Sequence, residues 1–290
     1  EVRVEVSNNG REYTSDGVRL QLVSVRVLEV QPWSGPVRGA TVVSVRGRGL
    51  LPGELRCRFG ESDGALAWSG GASRLRCASA ASAVTGWVGV QLSSFYGALS
   101  SGGSFYYHAE LLASAVTPSV GPERGGTRVT VLGSSFRDAY TLRCRFENAS
   151  SAVLARYVDE NQLECITPVH SLGEKRLLLS MNAQQFQWTI VTFTYQAAAA
   201  VSSVSPASVL AEGGTPVTVH GAHFSAASEA MGLLLCRMGG TVRRAVWASS
   251  SAVVCNTTRS VAGEVRVEVS NNGREYTSDG VRLQLVSVQE

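Results

Sequence analysis

Three blocks of similar sequence follow one another at nearly even spacing, so the fold of this chain must be one that can be built three times over. Pro32, Pro118 and Pro206 each open a block, followed by GPVRGATVVSVRGRGL from Gly35, GPERGGTRVTVLGSSF from Gly121 and LAEGGTPVTVHGAHF from Leu210. Each block then runs to a first cysteine (Cys57, Cys144, Cys236), a second (Cys77, Cys165, Cys255) and a closing hairpin pattern. The opening prolines lie 86 and 88 residues apart. That is the length of one small β-sandwich, and a chain of 290 residues is about right for three of them.

A longer repeat encloses the shorter one. The residues Glu1–Val25 recur without a change as Glu264–Val288, an offset of 263 positions. Diverged homologous strands do not stay identical over such a stretch. The chain therefore reads as one 263-residue period plus an overlap into the next, the rival being an artificial duplication. The opening segment holds only the last two strands of a unit, and an isolated two-stranded hairpin is marginal in water. Its apolar residues Val4, Val6, Tyr13, Val18, Leu20 and Leu22 need the earlier strands of a preceding unit to cover them. The expected division is thus 1–25, the end of a preceding repeat's domain, then domains at 26–110, 111–196 and 197–290.

Within each block the apolar residues alternate in short runs, as in TRVTVLG (Thr127–Gly133), TPVTVHG (Thr215–Gly221) and EVRVEVS (Glu264–Ser270). Period two is the signature of half-buried antiparallel strands. Gly125-Gly126, Gly213-Gly214, Asn272-Gly273 and Asp279-Gly280 punctuate the runs with residues that tolerate positive φ, and Asn-Gly predicts a tight type I′ hairpin. No window carries a helical stripe. The fold class expected is all-β, tandem Ig-like sandwiches in a linear array.

These residues also resemble a known family. Pro, then GP-x-x-GGT-x-V-T-V-x-G-x-x-F, then C-x-F and a second Cys, then S-N-x-G-x-x-Y-T, is similar to the IPT/TIG domain. That domain is the Ig-like module of plexins, Met-type receptors and fibrocystin-like proteins. The second block matches most fully, at Pro118, Gly121, Pro122, Gly125, Gly126, Thr127, Gly133, Phe136, Cys144, Phe146 and Cys165. The third departs at Met238, and the first at Arg38-Gly39-Ala40-Thr41 and Leu50. The resemblance implies the fold and an interaction role, and it names no ligand.

The cysteines fall as one pair per block, separated by 20, 21 and 19 residues. Each pair is expected to form a disulfide, which fits an oxidising compartment, with free buried thiols as the alternative. No Cys-x-x-Cys or neighbouring Cys/His set supplies the ligands of a zinc site. Two sequons agree with an extracellular or cell-surface setting: Asn148-Ala149-Ser150 and Asn256-Thr257-Thr258 make Asn148 and Asn256 candidate glycan acceptors.

Composition excludes more than it selects. With 44% hydrophobic and 17% charged residues, the chain has material for packed cores. A net charge of +3, spread without basic runs, gives no nucleic-acid footprint. No apolar run is long enough to span a bilayer. No catalytic constellation, cofactor site or metal site is apparent. His220 and His223 are spaced so that a strand turns them to opposite faces, and the paired glycines lack the helix and Lys of a phosphate loop. Trp33 is expected at an interdomain contact and Trp188 partly exposed.

Three functions remain. The first is a structural or adhesive surface fibre of 263-residue repeats. The second is a receptor ectodomain that binds a protein ligand. The third is an accessory module of a polysaccharide-processing enzyme. The partners expected are the chain's own repeats, end to end or head to tail, covalent glycans, and other surface proteins or polysaccharide.

Overall fold

The computed structural model describes residues 1–20, 24–50, 55–62, 65–69, 73–94 and 97–287, and divides into two units, Glu1–Glu110 and Leu111–Glu290. The first unit carries one sandwich and a separate hairpin. A four-stranded sheet orders Arg26–Gln31, Val42–Arg48, Arg74–Ala78 and Trp68–Ser69. A five-stranded sheet orders Ser34–Pro36, Gly97–His108, Gly86–Ser94, Arg56–Phe59 and Ala65–Leu66.

The second unit builds the same topology twice. Its first sandwich pairs the sheet Leu112–Thr117, Arg128–Ser134, Gln162–Ile166, Arg156–Asp159 with the sheet Val120–Pro122, Gln187–Gln196, Gly173–Ser180, Arg143–Phe146, Val153–Leu154. Its second pairs Ala200–Ser205, Pro216–Ala222, Ala252–Asn256, Val246–Ser249 with Ser208–Leu210, Arg282–Val286, Gly263–Ser270, Leu235–Met238, Thr241–Arg244. In all three sandwiches the opening strand changes sheets. It runs antiparallel to its first neighbour, passes a cis peptide bond at Pro32, Pro118 or Pro206, and continues as a short parallel strand in the facing sheet. The prolines that open the sequence blocks mark this crossing.

The alternation read from sequence becomes the core. Along Val42–Arg48 the residues Val43, Val45 and Gly47 are buried and Val42, Arg46 and Arg48 exposed, so one face of the sheet meets the other sheet and one meets water. Val43, Val45 and Leu75 from one sheet pack with Phe59, Val90, Leu92 and Phe105 from the other. Phe146, Phe193 and Tyr195 meet edge to face in the second sandwich, as Phe59, Phe105 and Tyr107 do in the first. The third fills that space with aliphatic side chains and packs Met238, the strand partner of Val267, against its core. Burying each such side chain contributes about 1.5–3 kcal/mol.

The glycine and aromatic of the Gly-x-x-Phe motif explain one another. A Cβ on Gly133 would collide with the Leu112 carbonyl oxygen and the Phe136 ring, and one on Gly221 with the Ala200 carbonyl and Phe224. Gly47 stands in the same relation to Arg26 and Leu50. The opening strand bulges over the glycine, and the buried ring closes the end of the sandwich. After it the chain loops back, with the Phe136 N–H bonded to Glu160 O at 3.1 Å and the Phe224 N–H to Ser250 O at 3.0 Å.

Two features depart from the sequence reading. A five-residue helix, Ala226–Ala230, follows Phe224, its N-cap Ser225 accepting from the Ser228 N–H at 3.2 Å. The Asn272-Gly273 turn is not a tight type I′ hairpin: only Gly273 has positive φ (70°), and the loop closes between Val269 and Thr277. Side chains within that loop hold it open, as described below.

Residues 1–20 form a hairpin by themselves. Val2 pairs with Leu20 and Arg3 with Arg19, and all of these residues except Ser7 are exposed. Leu22, expected to share this apolar face, lies outside the described residues. Among the described residues, no helix is long and apolar enough to cross a membrane.

Gly133→Ala should destabilise the second sandwich by about 1–3 kcal/mol, the cost of overpacking a filled site. Gly240→Ala, which meets nothing within 4 Å, should stay within about 0.5 kcal/mol of the parent. Chemical denaturation of the two variants beside the parent checks the difference.

Candidate functional site at the joint between the second and third sandwiches

A polar cluster joins the two sandwiches of the second unit, and it begins in the loop Ser270–Tyr276. Asn272 Oδ1 accepts from the backbone N–H groups of Arg274 and Glu275, each at 3.0 Å, and Ser270 Oγ accepts from the Gly273 N–H at 2.9 Å. Short polar side chains that satisfy their own backbone in this way shape a loop without a sheet ladder. The loop is closed by the Thr277 N–H on Val269 O at 2.9 Å and the Val269 N–H on Thr277 Oγ1 at 3.1 Å. With its oxygen occupied, the Asn272 amide turns its Nδ2 hydrogens toward the preceding sandwich.

There Nδ2 donates to Val120 O at 3.3 Å and to the Glu275 carboxylate. Glu275 in turn accepts from Thr127 Oγ1 at 2.8 Å. Thr127 belongs to the Gly-Gly-Thr turn of the second sandwich. It is wholly buried, and its N–H donates to Thr167 Oγ1 at 3.1 Å while the Thr167 N–H returns a bond to Thr127 O at 2.9 Å. The same reciprocal pair holds the turn in the other sandwiches, between Thr41 and Ser79 and between Thr215 and Thr257. The turn is therefore a rigid base, and Asn272 and Glu275 clamp it.

More bonds flank the clamp. Gln196 Nε2 donates to Ser225 Oγ at 3.3 Å, the Ser225 N–H to Asn271 Oδ1 at 3.2 Å, and Asn271 Nδ2 to His223 O at 2.8 Å. His223, held at φ 61°, lies 3.0 Å from Ala198 O through Nδ1. The linker Ala197–Ala199 runs between these groups and lines a cavity of about 30 Å³ with Gly121, Asn272 and Glu275. That is room for one or two waters and far below the few hundred Å³ of a small-molecule pocket. Among the described residues Gln196 Oε1 is left without a partner, but the bonds from Asn272, Glu275, Ser225 and Asn271 form a connected network, and such a network rigidifies what it joins.

The cysteines sit elsewhere, at the centre of each core. Cys57 is joined to Cys77, Cys144 to Cys165 and Cys236 to Cys255, all buried, and each bond ties a strand of the five-stranded sheet to one of the four-stranded sheet. Asn148 is exposed in the turn after Arg143–Phe146 with φ 62°, and Asn256 is the exposed last residue of Ala252–Asn256. Trp33 stacks on Trp87 of its own sandwich, with ring centroids 5.6 Å apart, and both flank Tyr106. Trp188 is exposed, with the Arg176 guanidinium 5.5 Å over its ring. No cluster of metal ligands occurs among the described residues. The clamp was missed from the sequence, although the spacing Ser270-x-Asn272-x-x-Glu275 is a readable loop motif once its partner is known.

The family model for the IPT/TIG domain matches residues 112–195 and 199–285, more than half of the chain. Plexin-A3 of Rattus norvegicus is 25% identical over 222 residues, covering 70% of this chain and 11% of the plexin. Human Plexin-A3 is 26% identical over 217 residues, with the same shares. Human Fibrocystin-L is 26% identical over 171 residues, 58% of this chain and 4% of that protein. The chain thus spans about a tenth of the length of the plexins it matches. Among solved structures, the full extracellular region of Plexin A4 superposes with a TM-score of 0.50 at 17% identity, over 88% of this chain and 23% of that one.

Asn272→Ala should leave the Glu275 carboxylate and the Val120 carbonyl each short of a donor, at a cost of about 1–3 kcal/mol. The loss should appear as faster amide hydrogen exchange at Val120, Thr127 and Ala197–Ala199, with the core amides at Val219 and Val253 unchanged.

Proposed function

Because the chain belongs to the IPT/TIG domain family, we propose that it is a non-enzymatic extracellular segment: one period of a tandem array of Ig-like sandwiches in a structural or adhesive surface fibre, carrying glycans at Asn148 and Asn256. The observation that carries this reading is the clamp. A joint that places a partly buried carboxylate and a buried amide on the base of the preceding domain resists bending, which is what an array under tension needs and a set of independent binding modules does not. Exact recurrence of Glu1–Val25 as Glu264–Val288 supports an array with a 263-residue step. One disulfide in each core limits how far a stretched domain could extend before its sheets part.

Export fits the three paired cysteines and the exposed sequons. Glycosylation adds bulk at Asn148 and Asn256, both on exposed main chain at the end of a cysteine strand. The second reading is a receptor ectodomain that binds a protein ligand through its exposed surfaces, and the likeness to plexin segments favours it. The two readings differ in how the unit is used and share the same fold.

Negative-stain imaging of the native material tests the choice. Extended particles of many sandwiches, with a subunit mass of several periods under reducing and denaturing conditions, would support the fibre. A particle holding a single period beside unrelated domains would support the receptor. Deglycosylation with peptide N-glycosidase should convert Asn148 and Asn256 to Asp, read as a 1 Da gain per site by peptide mass mapping; unconverted peptides would remove the glycan from the proposal.

A further inference from the structure

One edge of the third sandwich differs from its counterparts. In each sandwich the five-stranded sheet ends on a short strand: Ala65–Leu66, Val153–Leu154 and Thr241–Arg244. The first two have two residues, whereas the third has four, all of them exposed. Thr241–Arg244 pairs with Leu235–Met238 on one side only. Such an edge offers unpaired N–H and C=O groups to any passing strand, and folded proteins cover it or charge it.

An open cleft of about 650 Å³ runs along this edge, lined by Leu235, Val242, Arg243, Arg244, Asn256 and Thr258. Its size falls in the range of roughly 300–1,000 Å³ of small-molecule sites. A smaller hollow of about 40 Å³ continues from Thr258 to Thr241 and Ser260. The sequon Asn256-Thr257-Thr258 therefore stands in the cleft wall, with Asn256 exposed. The corresponding residue after the second cysteine is Ala78 in the first sandwich and Ile166 in the second. The other lining groups suit a sugar. Val242 is exposed and offers an apolar patch to the C–H face of a ring, and two guanidiniums offer N–H donors to its hydroxyls. Among the described residues the ion pairs leave out Arg243 and Arg244, so no carboxylate competes for those donors.

We propose that the N-linked glycan of Asn256 folds back into this cleft, its first sugars lying over Val242 and bonded to Arg243 and Arg244, and that it shields the free edge of Thr241–Arg244 from strand addition. The proposal rests on the reading that Asn256 carries a glycan, and adds where that glycan sits and what it does. Attachment at the cleft wall holds the sugar at an effective concentration that is roughly millimolar, so contacts too weak to capture a free sugar are enough. Asn148, in a turn of the second sandwich, is the internal comparison, since its glycan has no part in this cleft.

Protein secreted from a eukaryotic host is digested with peptide N-glycosidase under native conditions, and conversion at each asparagine is followed over time by peptide mass mapping. Release at Asn256 is expected to be several-fold slower than in a variant carrying Arg243→Ser and Arg244→Ser, with Asn148 released at the same rate in both. Hydrogen exchange over residues 241–244 should also be slower in the glycosylated parent than in Asn256→Gln from the same host, while the core amide of Val253 exchanges alike. Equal release at Asn256 in parent and double variant, or equal exchange at 241–244 with and without the glycan, would overturn the proposal and leave glycosylation standing. An Asn256 that carries no sugar overturns the proposal together with that part of the functional reading, and leaves the tandem array to be judged from micrographs.

Discussion

Every sandwich in this chain depends on one constraint: the apolar side of its closing hairpin has to be hidden from water by strands that come earlier in the sequence. Two strands satisfy each other's backbone along a shared edge, but they cannot bury their own side chains. Val267, Val269 and Leu283 disappear into one core with Val217, Val219 and Val253, which stand on strands earlier in the chain. The disulfides lie on the same line of contact, tying sheet to sheet where the cores are deepest. The two copies of the hairpin share register and inner bonds, so those features are set within the 25 residues themselves.

A second level of organisation is laid over that core by a handful of small residues. Gly47, Gly133 and Gly221 let a neighbouring strand cross within van der Waals reach, and Leu50, Phe136 and Phe224 fill the end that this crossing opens. The threonine of each Gly-x-Thr turn, buried in the first two sandwiches and partly buried in the third, then fixes a hard corner through reciprocal bonds to Ser79, Thr167 or Thr257. In the second sandwich that corner serves a further purpose, because the Thr127 hydroxyl donates a hydrogen bond to the Glu275 carboxylate.

Much of this was legible from sequence. Alternation in TRVTVLG and TPVTVHG gave the strands because burial on one face is all that such a run can satisfy, and the motif around Gly133 and Phe136 carried the family likeness. What could not be read were the features that depend on distant or nonlocal partners. Asn272 meets Val120 across 152 positions and Thr127 meets Glu275 across 148, and no periodicity reports a contact of that separation. Asn272-Gly273 was misread as a two-residue turn for a related reason: the dipeptide suggests its shortest use, while Ser270, Asn272 and Thr277 use side chains to build a wider loop. Trp33 likewise finds Trp87 from a different strand, a meeting fixed by the parallel and antiparallel pairings of Tyr106 with Ser34 and Trp87.

The receiving side of the clamp has a property that its donating side lacks. Asn272 binds Val120 through a main-chain oxygen, an atom that every residue possesses. That bond asks nothing of the Val120 side chain, whereas the bond from Thr127 to Glu275 requires a hydroxyl, so selection acting on the joint falls on Asn272, Glu275 and Thr127 and spares position 120 as an acceptor. A gene built by copying such units can let their surfaces drift apart while the seam between neighbours keeps its geometry.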